Sequence, residues 1–171
     1  MSDEAPRAFA AAGAAVRHEQ RPGDIGEIIR LHGILYAQEH GYSLDFEAYV
    51  AKTFSGYAWP LSLRERLWIV ETANGLRGSI AIVRASETEA QLRWLLLHPE
   101  LRGHGLGKRL VEDALAFCRE CGYATVILWT EASLTTATTL YRRAGFARTE
   151  TRTSAIWGAV RTEERYELRL S

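Results

Sequence analysis

The chain has 171 residues, of which 47% are hydrophobic and 25% are charged, a composition typical of one folded domain with a sizeable core. Lysine plus arginine and aspartate plus glutamate both total 21, so the zero net charge gives no indication of a nucleic acid or an anionic membrane as partner. No apolar run approaches the roughly 20 residues of a membrane span, and the acidic Asp3 and Glu4 are atypical of a secretion signal, so we expect a cytoplasmic protein.

The N-terminal segment is predicted to lie outside the folded domain. Residues 1–13 are rich in alanine and show no periodicity, which predicts a mobile N-terminal tail or a short helix. Residues 14–17 have the character of a short strand. Since no internal repeat and no shift in composition follows, we predict a single domain over residues 14–171.

Two helices are predicted next. Apolar residues recur at helical spacing after Asp24, and Gly41 suits the left-handed position that ends a helix. Ser43 can cap a second helix, whose apolar stripe runs from Phe46 to Phe54. The chain therefore begins with a strand followed by two helices.

Three strands follow the helices. Residues 67–70 and 78–83 are strand-like, and Asn74-Gly75 between them is the strongest short hairpin signal in the chain. A polar connection then leads to a third strand over residues 91–98, which is strongly apolar in its second half.

A glycine-rich turn with the sequence R-G-H-G-L-G-K covers residues 102–108. It stands between the third strand and a helix that apolar spacing predicts over residues 106–121. Glycine lets the backbone approach a ligand closely, and the first turn of a helix offers unpaired N–H groups at the positive end of the helix dipole. With Arg102 and Lys108 as added cations, this turn predicts a binding site for a phosphate or a similar anion.

The two cysteines, Cys118 and Cys121, form a C-x-x-C motif. This spacing occurs in redox pairs and in halves of metal sites. Thiolates, however, are favoured at helix N-termini, and these cysteines stand at the C-terminal end of the predicted helix. We interpret them as small packing residues and expect no metal site.

The remaining elements complete a mixed sheet. Residues 125–129 are β-branched and aromatic and predict a strand. Ser133 can cap a fourth helix that ends at Gly145. Residues 146–149 and 165–170 are predicted to be closing strands.

Two motifs in this order resemble the GNAT superfamily of N-acetyltransferases. Residues 102–107 match its R/Q-x-x-G-x-G/A signature, and residues 140–146 match its L-Y-x-x-x-G-F signature. A single glycine motif would be weak evidence, whereas two motifs in register with the predicted elements are much stronger. Residues 21–24, 32–36 and 91–93 more closely resemble the acetyltransferase domain fused behind MarR-type regulators. Since no regulator fits upstream, we expect a free-standing version.

The resemblance implies a fold and a donor. The implied fold is α/β (α+β), with a mixed, mostly antiparallel sheet of six to seven strands, about four helices and two central parallel strands that splay apart. The implied cosubstrate is acetyl-CoA, with its pyrophosphate on the glycine turn and its pantetheine arm along the preceding strand. The implied cofactor-binding residues are Leu96, Leu97, His98, Arg102, Gly103, His104, Gly105, Leu106, Gly107 and Lys108.

The resemblance also implies a reaction, in which a neutral amine attacks the thioester directly. Tyr141 matches the general acid of the family, and a phenol stays protonated at neutral pH. Many relatives carry a Glu on the strand before the turn, but the matching residue here is Gln91, which cannot accept a proton. The candidate bases that remain are Glu71, Glu131, Glu39, His40 and a water relay.

A second departure from the family pattern concerns the pantetheine arm. Leu134 replaces an Asn that often holds this arm, and Thr135 and Ser133 are candidate replacements. In the family the first two helices bound the acceptor pocket, so the resemblance implies that Tyr36, His40 and Tyr42 line it.

The sequence therefore predicts an enzyme, an acetyl-CoA-dependent N-acetyltransferase that acts on a primary amine of a small molecule or a protein. The alternative is a non-catalytic acyl-CoA-binding sensor or interaction module, because the usual Glu and Asn are missing. The acceptor and the oligomeric state, including a homodimer, are left open. No nucleic-acid or membrane partner is expected.

Overall fold

A computed structural model describes residues 7–9 and 13–171, and within these ranges one eight-stranded sheet carries four α-helices. The strands are β1 (Arg7–Phe9), β2 (Ala14–Arg17), β3 (Arg66–Thr72), β4 (Gly75–Arg84), β5 (Glu89–Leu97), β6 (Thr125–Glu131), β7 (Ala147–Ile156) and β8 (Ala159–Arg169). The helices are α1 (Asp24–His40), α2 (Leu44–Ser55), α3 (Leu106–Glu120) and α4 (Thr135–Arg143), and a short 3-10 turn (Pro99–Leu101) precedes α3. This architecture confirms the predicted mixed α/β fold.

The sheet has the order β1-β2-β3-β4-β5-β6-β8-β7. Every neighbouring pair is antiparallel except β5 and β6, which are parallel. Their pairing covers residues 89–91 of β5 and residues 125–127 of β6. Since β5 continues to Leu97 and β6 to Glu131, the two strands part beyond this short paired stretch. The predicted splaying of the central parallel strands is therefore confirmed.

A bulge in β5 lies where the strands part. The register between β4 and β5 shifts between Ser79 and Ala81, and Trp94 on β5 has a φ of 50°, which is rare for a bulky residue. Three contacts hold it there. Ser79 Oγ donates to Trp94 O at 2.6 Å, Trp94 Nε1 donates to Thr53 Oγ1 at 2.9 Å, and the indole stacks on Phe54 with ring centroids 3.8 Å apart. Together they offset a backbone strain of about 1–3 kcal/mol.

The sheet separates two hydrophobic clusters. On one face α3 packs Leu110, Val111 and Ala114 against β4, β5 and β6, and all three are almost completely buried. On the other face α1 and α2 contribute Ile28 and Phe46. Each fully buried aliphatic side chain contributes roughly 1.5–3 kcal/mol to stability, so both clusters fix the helices firmly on the sheet.

The N-terminal segment contains an additional strand. Strand β1 lies within residues 1–13, where a tail or a short helix was predicted, and it pairs with β2. The rest of that prediction, on residues 1–6 and 10–12, lies outside the described residues.

Two predicted details of the C-terminal part were wrong. Ser133 does not cap α4, because its Oγ and its N–H donate to Glu131 and the helix begins only at Thr135. The two closing strands are much longer than the predicted residues 146–149 and 165–170, and they form one hairpin with its turn at Trp157 and Gly158.

The hairpin tip packs on the junction between α1 and α2. Ser43 N donates to Trp157 O at 3.2 Å, and the Trp157 ring stacks on Tyr42 with centroids 5.2 Å apart. An added Cβ at Gly158 would lie only 3.1 Å from Ser43 Oγ. The contact places the tip of the β7–β8 hairpin beside α1 and α2 on the same face of the sheet.

Candidate active site

The glycine turn forms an open cradle of main-chain amides before α3. Gly103 and Gly105 have φ values of 82° and 76°, a left-handed conformation that favours glycine, and an added Cβ at either residue would meet nothing within 4 Å. Arg109 N donates to Gly105 O at 3.1 Å, whereas in the part of the chain that the structure describes the amides of residues 103–108 donate to no acceptor. These free N–H groups point to an anion site at the helix N-terminus.

A cleft of about 970 Å³ opens from this turn. Its walls are the C-terminal half of α1, the end of β5, the glycine turn with the start of α3, and the segment of Ser133 through Ala144 that contains α4. The predicted cofactor-binding residues that line it are Leu96, Leu97, Arg102, Gly103, Gly105, Leu106, Gly107 and Lys108.

His98 and His104 do not line the cleft. The main-chain groups of His98 are already used, because its N–H donates to Arg77 O at 2.7 Å and its carbonyl accepts from Leu101 N at 2.9 Å. His104 is exposed to solvent in the glycine turn. Sequence position alone could not separate these two residues from their neighbours.

The two predicted cations both have acidic partners. Arg102 makes a bidentate ion pair with Glu39 at the end of α1, with N–O distances of 2.5 and 2.9 Å, and its Nε donates to Leu97 O at 2.9 Å. Lys108 lies 3.7 Å from a carboxylate oxygen of Glu112. The hydrogen bonds from Arg102 lower the pKa of Glu39 below its usual 4.5, which makes Glu39 a poor general base.

Tyr141 lies on α4 behind the cleft wall. Its side chain is buried, and its neighbours Leu140 and Ala144 line the cleft. Burial, with the nearby Tyr36 as a smaller cause, raises the pKa of Tyr141 above its usual 10. Tyr36, which does line the cleft, has its pKa raised to about 12, again by burial. Both phenols are therefore protonated at neutral pH and can donate hydrogen bonds.

The structure separates the two predicted glutamates. Glu71 stands at the end of β3, opposite Ala15 of β2, and it accepts a hydrogen bond of 2.8 Å from Arg17. Arg17 also pairs with Asp24 at 2.6 Å. This network joins the β2–β3 edge to the start of α1, so Glu71 lies outside the cleft and serves the fold.

Glu131 ends β6, beyond the point where β5 and β6 part. Its side chain is buried, and it accepts hydrogen bonds from Tyr42 OH at 3.5 Å, from Ser133 N at 3.2 Å and from Ser133 Oγ. Tyr42 comes from the α1–α2 junction, and its pKa is raised by burial and by the Glu131 charge. Glu131 therefore lies between the end of β6 and the α1–α2 junction. Neither Glu131 nor Tyr42 lines the cleft, and Glu131 is joined to its wall through Ser133.

The wall that α1 contributes includes residues proposed from the sequence, and Tyr42, which was expected beside them, does not line the cleft. Tyr36, Glu39 and His40 all line the cleft, and Ser133 and Thr135 line it opposite them, where Leu134 replaces the expected Asn. Helical spacing puts residues 36, 39 and 40 on one face. That spacing is the signal from which this wall could be inferred.

The two cysteines do not line the cleft. Cys118 and Cys121 are free thiols, and burial raises the pKa of Cys118 to about 12. In the described ranges, no three His, Cys, Asp or Glu side chains are grouped to hold a metal ion. None of the helices there is long and apolar enough to span a membrane.

A glycine turn at a helix N-terminus, facing two parted parallel strands, defines a class of protein that binds an anionic cosubstrate. The sequence matches the acetyltransferase (GNAT) family over residues 33–146, a stretch that contains both the glycine turn and Tyr141. The chain belongs to this family. Acetyl-CoA fits the residues present, because free amides and open space above Gly103 and Gly105 can receive its pyrophosphate.

Curated relatives match only part of the chain. It is 51% identical over 51 residues to the mycothiol acetyltransferase of Cellulomonas flavigena, covering 30% of this chain and 15% of that protein. It is 32% identical over 94 residues to N-acetyltransferase 8F1 of Rattus norvegicus, covering 52% of this chain and 42% of that protein. The chain thus spans less than half the length of each of these relatives.

Solved structures match almost the whole chain. An acetyltransferase from Streptococcus agalactiae has a TM-score of 0.69 at 19% identity, with 92% of this chain and 99% of that chain covered. The structure of yncA from Salmonella typhimurium with its cofactor acetyl-CoA has a TM-score of 0.63 at 16% identity, with 93% and 95% covered. At these identities the likeness shows the fold alone.

Proposed function

We propose that this chain is an acetyl-CoA-dependent N-acetyltransferase that moves an acetyl group onto a primary amine by direct attack. The observation that carries the proposal is the opening of the free amides of residues 103–108 into a cleft that the end of β5 and α4 also enclose. Such a cleft can hold a long anionic thioester at one end and bring its acyl group to the strand edge at the other.

The donor would be held mainly by main chain. The amides of the glycine turn would bind pyrophosphate, with Lys108 near its outer oxygens. Beyond Gln91 the edge of β5 that faces β6 has no strand partner in the described ranges, so its main-chain groups are available to the pantetheine arm and to the thioester carbonyl. One amide aimed at the developing oxyanion typically stabilises the transition state by about 3 kcal/mol.

Tyr141 is the proposed general acid. The raised pKa keeps its hydroxyl protonated, while a free thiol has a pKa of about 8.5. Complete proton transfer from Tyr141 to the departing thiolate is therefore unfavourable at equilibrium. A hydrogen bond donated to the sulfur as its negative charge develops is the role that fits these two pKa values.

Glu131 is the proposed base, either directly or through a water. The incoming amine must lose a proton as it attacks the thioester, and a carboxylate near the parted strands can accept it. Of the two glutamates predicted from the sequence, Glu131 is the one that is hydrogen-bonded to a residue of the cleft wall, Ser133. Glu71 is occupied by Arg17 at the opposite part of the sheet.

The test combines binding and turnover. The protein is mixed with acetyl-CoA and a panel of small primary amines and lysine peptides, while free thiol is followed by an absorbance assay. Acetyl-CoA at about 100 times its dissociation constant should stabilise the fold by roughly 2.7 kcal/mol, which a melting curve detects. Absence of this melting shift at that excess would contradict the proposal.

A binding module without turnover is the second candidate. Two observations favour it: Gln91 stands where relatives often carry the base, and Leu134 stands where they carry Asn. A melting shift with acetyl-CoA but no thiol release across a broad amine panel would select this alternative.

We also propose that the enzyme is cytoplasmic and that its partners are acetyl-CoA and an amine. No nucleic-acid or membrane partner is proposed, and a homodimer is left open. Kinship with the domains fused to MarR-type regulators also remains a proposal, supported by residues 21–24, 32–36 and 91–93.

A further inference from the structure

Arg93 on β5 has a guanidinium group without a polar partner. Its Nε is buried and has no hydrogen-bond partner, and within the described residues the Arg93 side chain makes no hydrogen bond and no ion pair. Its one contact of note is with the ring of Tyr57, whose centroid lies 5.8 Å from Cζ. A buried charged donor without an acceptor is unfavourable, so a free partially buried guanidinium in a protein suggests an anionic ligand.

The position of Arg93 places it on the acceptor side of the sheet. Ala90 and Leu92 belong to the cluster under α3, so the alternation along the strand directs Arg93 to the opposite face, towards the loop after α2. Arg93 is also the second residue beyond Gln91, where pairing with β6 ends. It therefore lies at the start of the opening between the two strands, on the face away from the glycine turn.

Arg93 is also close to the cleft along the strand. Leu96 lines the cleft and belongs to the cluster on the same face as Arg93. At about 3.3 Å per residue its Cα lies at most roughly 10 Å from that of Arg93. A short molecule with its amine at the acyl group could reach the guanidinium with a second functional group.

Unlike Arg93, neighbouring arginines on the same face have hydrogen-bond partners within the protein. Arg165 bonds Glu167 at 2.9 Å, Arg152 bonds Glu150 at 2.9 Å, and Arg161 donates to the Trp157 carbonyl at 3.3 Å and lies over the Tyr42 ring. Arg165 and Arg152 therefore have carboxylate partners inside the protein. Arg161 has carbonyl and ring contacts, with its Nε unpartnered like that of Arg93, whereas the Arg93 side chain has a ring contact and no polar partner within the described residues.

We propose that Arg93 determines acceptor specificity by binding a carboxylate, so that the acceptor is a small amino-carboxylic acid. The inference rests on the proposed acetyltransferase function and names its substrate class. A planar guanidinium matches a carboxylate with two parallel hydrogen bonds, which also fixes the orientation of the ligand.

The other end of such an acceptor meets acidic groups. Glu131 on β6 pairs in register with Glu163 on β8, and within the described chain the Glu163 side chain forms no hydrogen bond and no ion pair. Burial raises the pKa of Glu163; the charge of Arg152, opposite it on β7, opposes this shift and the charge of Glu131 adds to it. A free carboxylate and a free guanidinium on one face suit a ligand that carries both charges, and they disfavour a dianionic phosphate.

The experiment compares each standard L-amino acid with its carboxamide. Turnover with acetyl-CoA is followed by thiol release, and direct binding of both compounds is measured by calorimetry. The wild-type protein should prefer at least one acid over its amide. Arg93→Gln should lower kcat/KM for that acid by roughly 10- to 100-fold and leave the amide unchanged, because one charged hydrogen-bonding partner is lost. Arg93→Lys should restore part of the preference.

Arg84→Gln is the matched control, since Arg84 is an exposed arginine on the adjacent strand β4 with its own partner, Glu87. It should change neither preference nor rate. Equal use of acids and amides by the wild type, or an equal loss for both in Arg93→Gln, would overturn the proposal.

The melting shift with acetyl-CoA separates this proposal from the function on which it rests. A retained shift with thiol release only from amines that lack a carboxylate would overturn the role of Arg93 and keep the acetyltransferase. If acetyl-CoA neither binds nor reacts, the calorimetric arm still decides: without Arg93-dependent binding of any amino acid the carboxylate site is wrong as well.

Discussion

The two sides of the cleft are built in different ways. On the donor side, the binding groups are consecutive amides of residues 103–108, held by two glycines and one helix start. On the acceptor side, Tyr42, Arg93 and Glu131 come from a helix junction and two strands, and Tyr42 and Glu131 are separated by 89 positions in the chain. A site made from consecutive residues can be recognised in a sequence. A site made from residues far apart in the chain can be recognised only when the order of the strands in the sheet is known.

The largest effect expected from this difference is a complete loss of donor binding in Gly105→Glu. The new carboxylate would occupy the space intended for pyrophosphate, and like charges repel. The melting shift with acetyl-CoA should vanish. Gly122→Glu is the control, because Gly122 also has a positive φ, 75°, with open space around it, but lies about 25 Å away at the far end of α3. It should lose similar stability and keep the melting shift; a lost shift in Gly122→Glu would contradict the assignment of residues 103–108 as the pyrophosphate site.

Tyr141→Phe should lower kcat by about 100-fold and leave the melting shift with acetyl-CoA intact, because it removes a proton donor and little volume. Steady-state thiol release measures the rate. Tyr123→Phe removes another buried tyrosine hydroxyl, which donates to Arg64 O at 2.9 Å away from the cleft. It should leave kcat unchanged. An undiminished rate in Tyr141→Phe would assign this tyrosine to the core.

Glu131→Gln and Glu71→Gln test the acceptor side against a remote part of the sheet. Loss of a general base should lower kcat roughly 10- to 100-fold in Glu131→Gln. Glu71→Gln should leave kcat unchanged but lower the free energy of unfolding by about 1 kcal/mol, because Arg17 loses a charged partner. Thiol release and chemical denaturation give the two quantities. A lowered kcat in Glu71→Gln together with an unchanged kcat in Glu131→Gln would contradict the assignment of Glu131 as the base.

The smallest expected effect concerns the ion pair that joins the two sides. Glu39 and Arg102 are partly exposed, so Glu39→Gln should cost less than about 1 kcal/mol of stability. The pKa of Glu39 is lowered, so this contribution is present above about pH 4.5 and is lost as the pH falls. Melting curves from pH 3 to 7 should show the wild type and the variant converging in acid. Convergence towards pH 7 would contradict the ion pair.

Much of the fold follows from local signals in the sequence. Gly41 ends α1 with a φ of 66°, and the Asn74-Gly75 signal marks the turn between β3 and β4. The positions that failed have no such signal. Strand β7 is exposed on both faces and carries no apolar alternation, and the bulge at Trp94 depends on Ser79, Thr53 and Phe54 from other elements.

The same division holds for the candidate site. The glycine turn and Tyr141 were predicted from two short motifs, and their roles stay predictions. Which glutamate faces the opening could not be inferred, because Glu71 and Glu131 both follow apolar strand residues and differ only in the order of the strands. The pairing of Arg102 with Glu39 likewise depends on how α1 lies over the sheet.

The parting of β5 and β6 has a consequence for kinetics. Separating two paired strands in every catalytic round would break main-chain hydrogen bonds before a donor could enter, and it would add a slow conformational step. Here Trp94 and its contacts fix the opening when the chain folds. The entry of the donor should therefore follow a single phase that is linear in its concentration, with no lag from a rearrangement of the sheet.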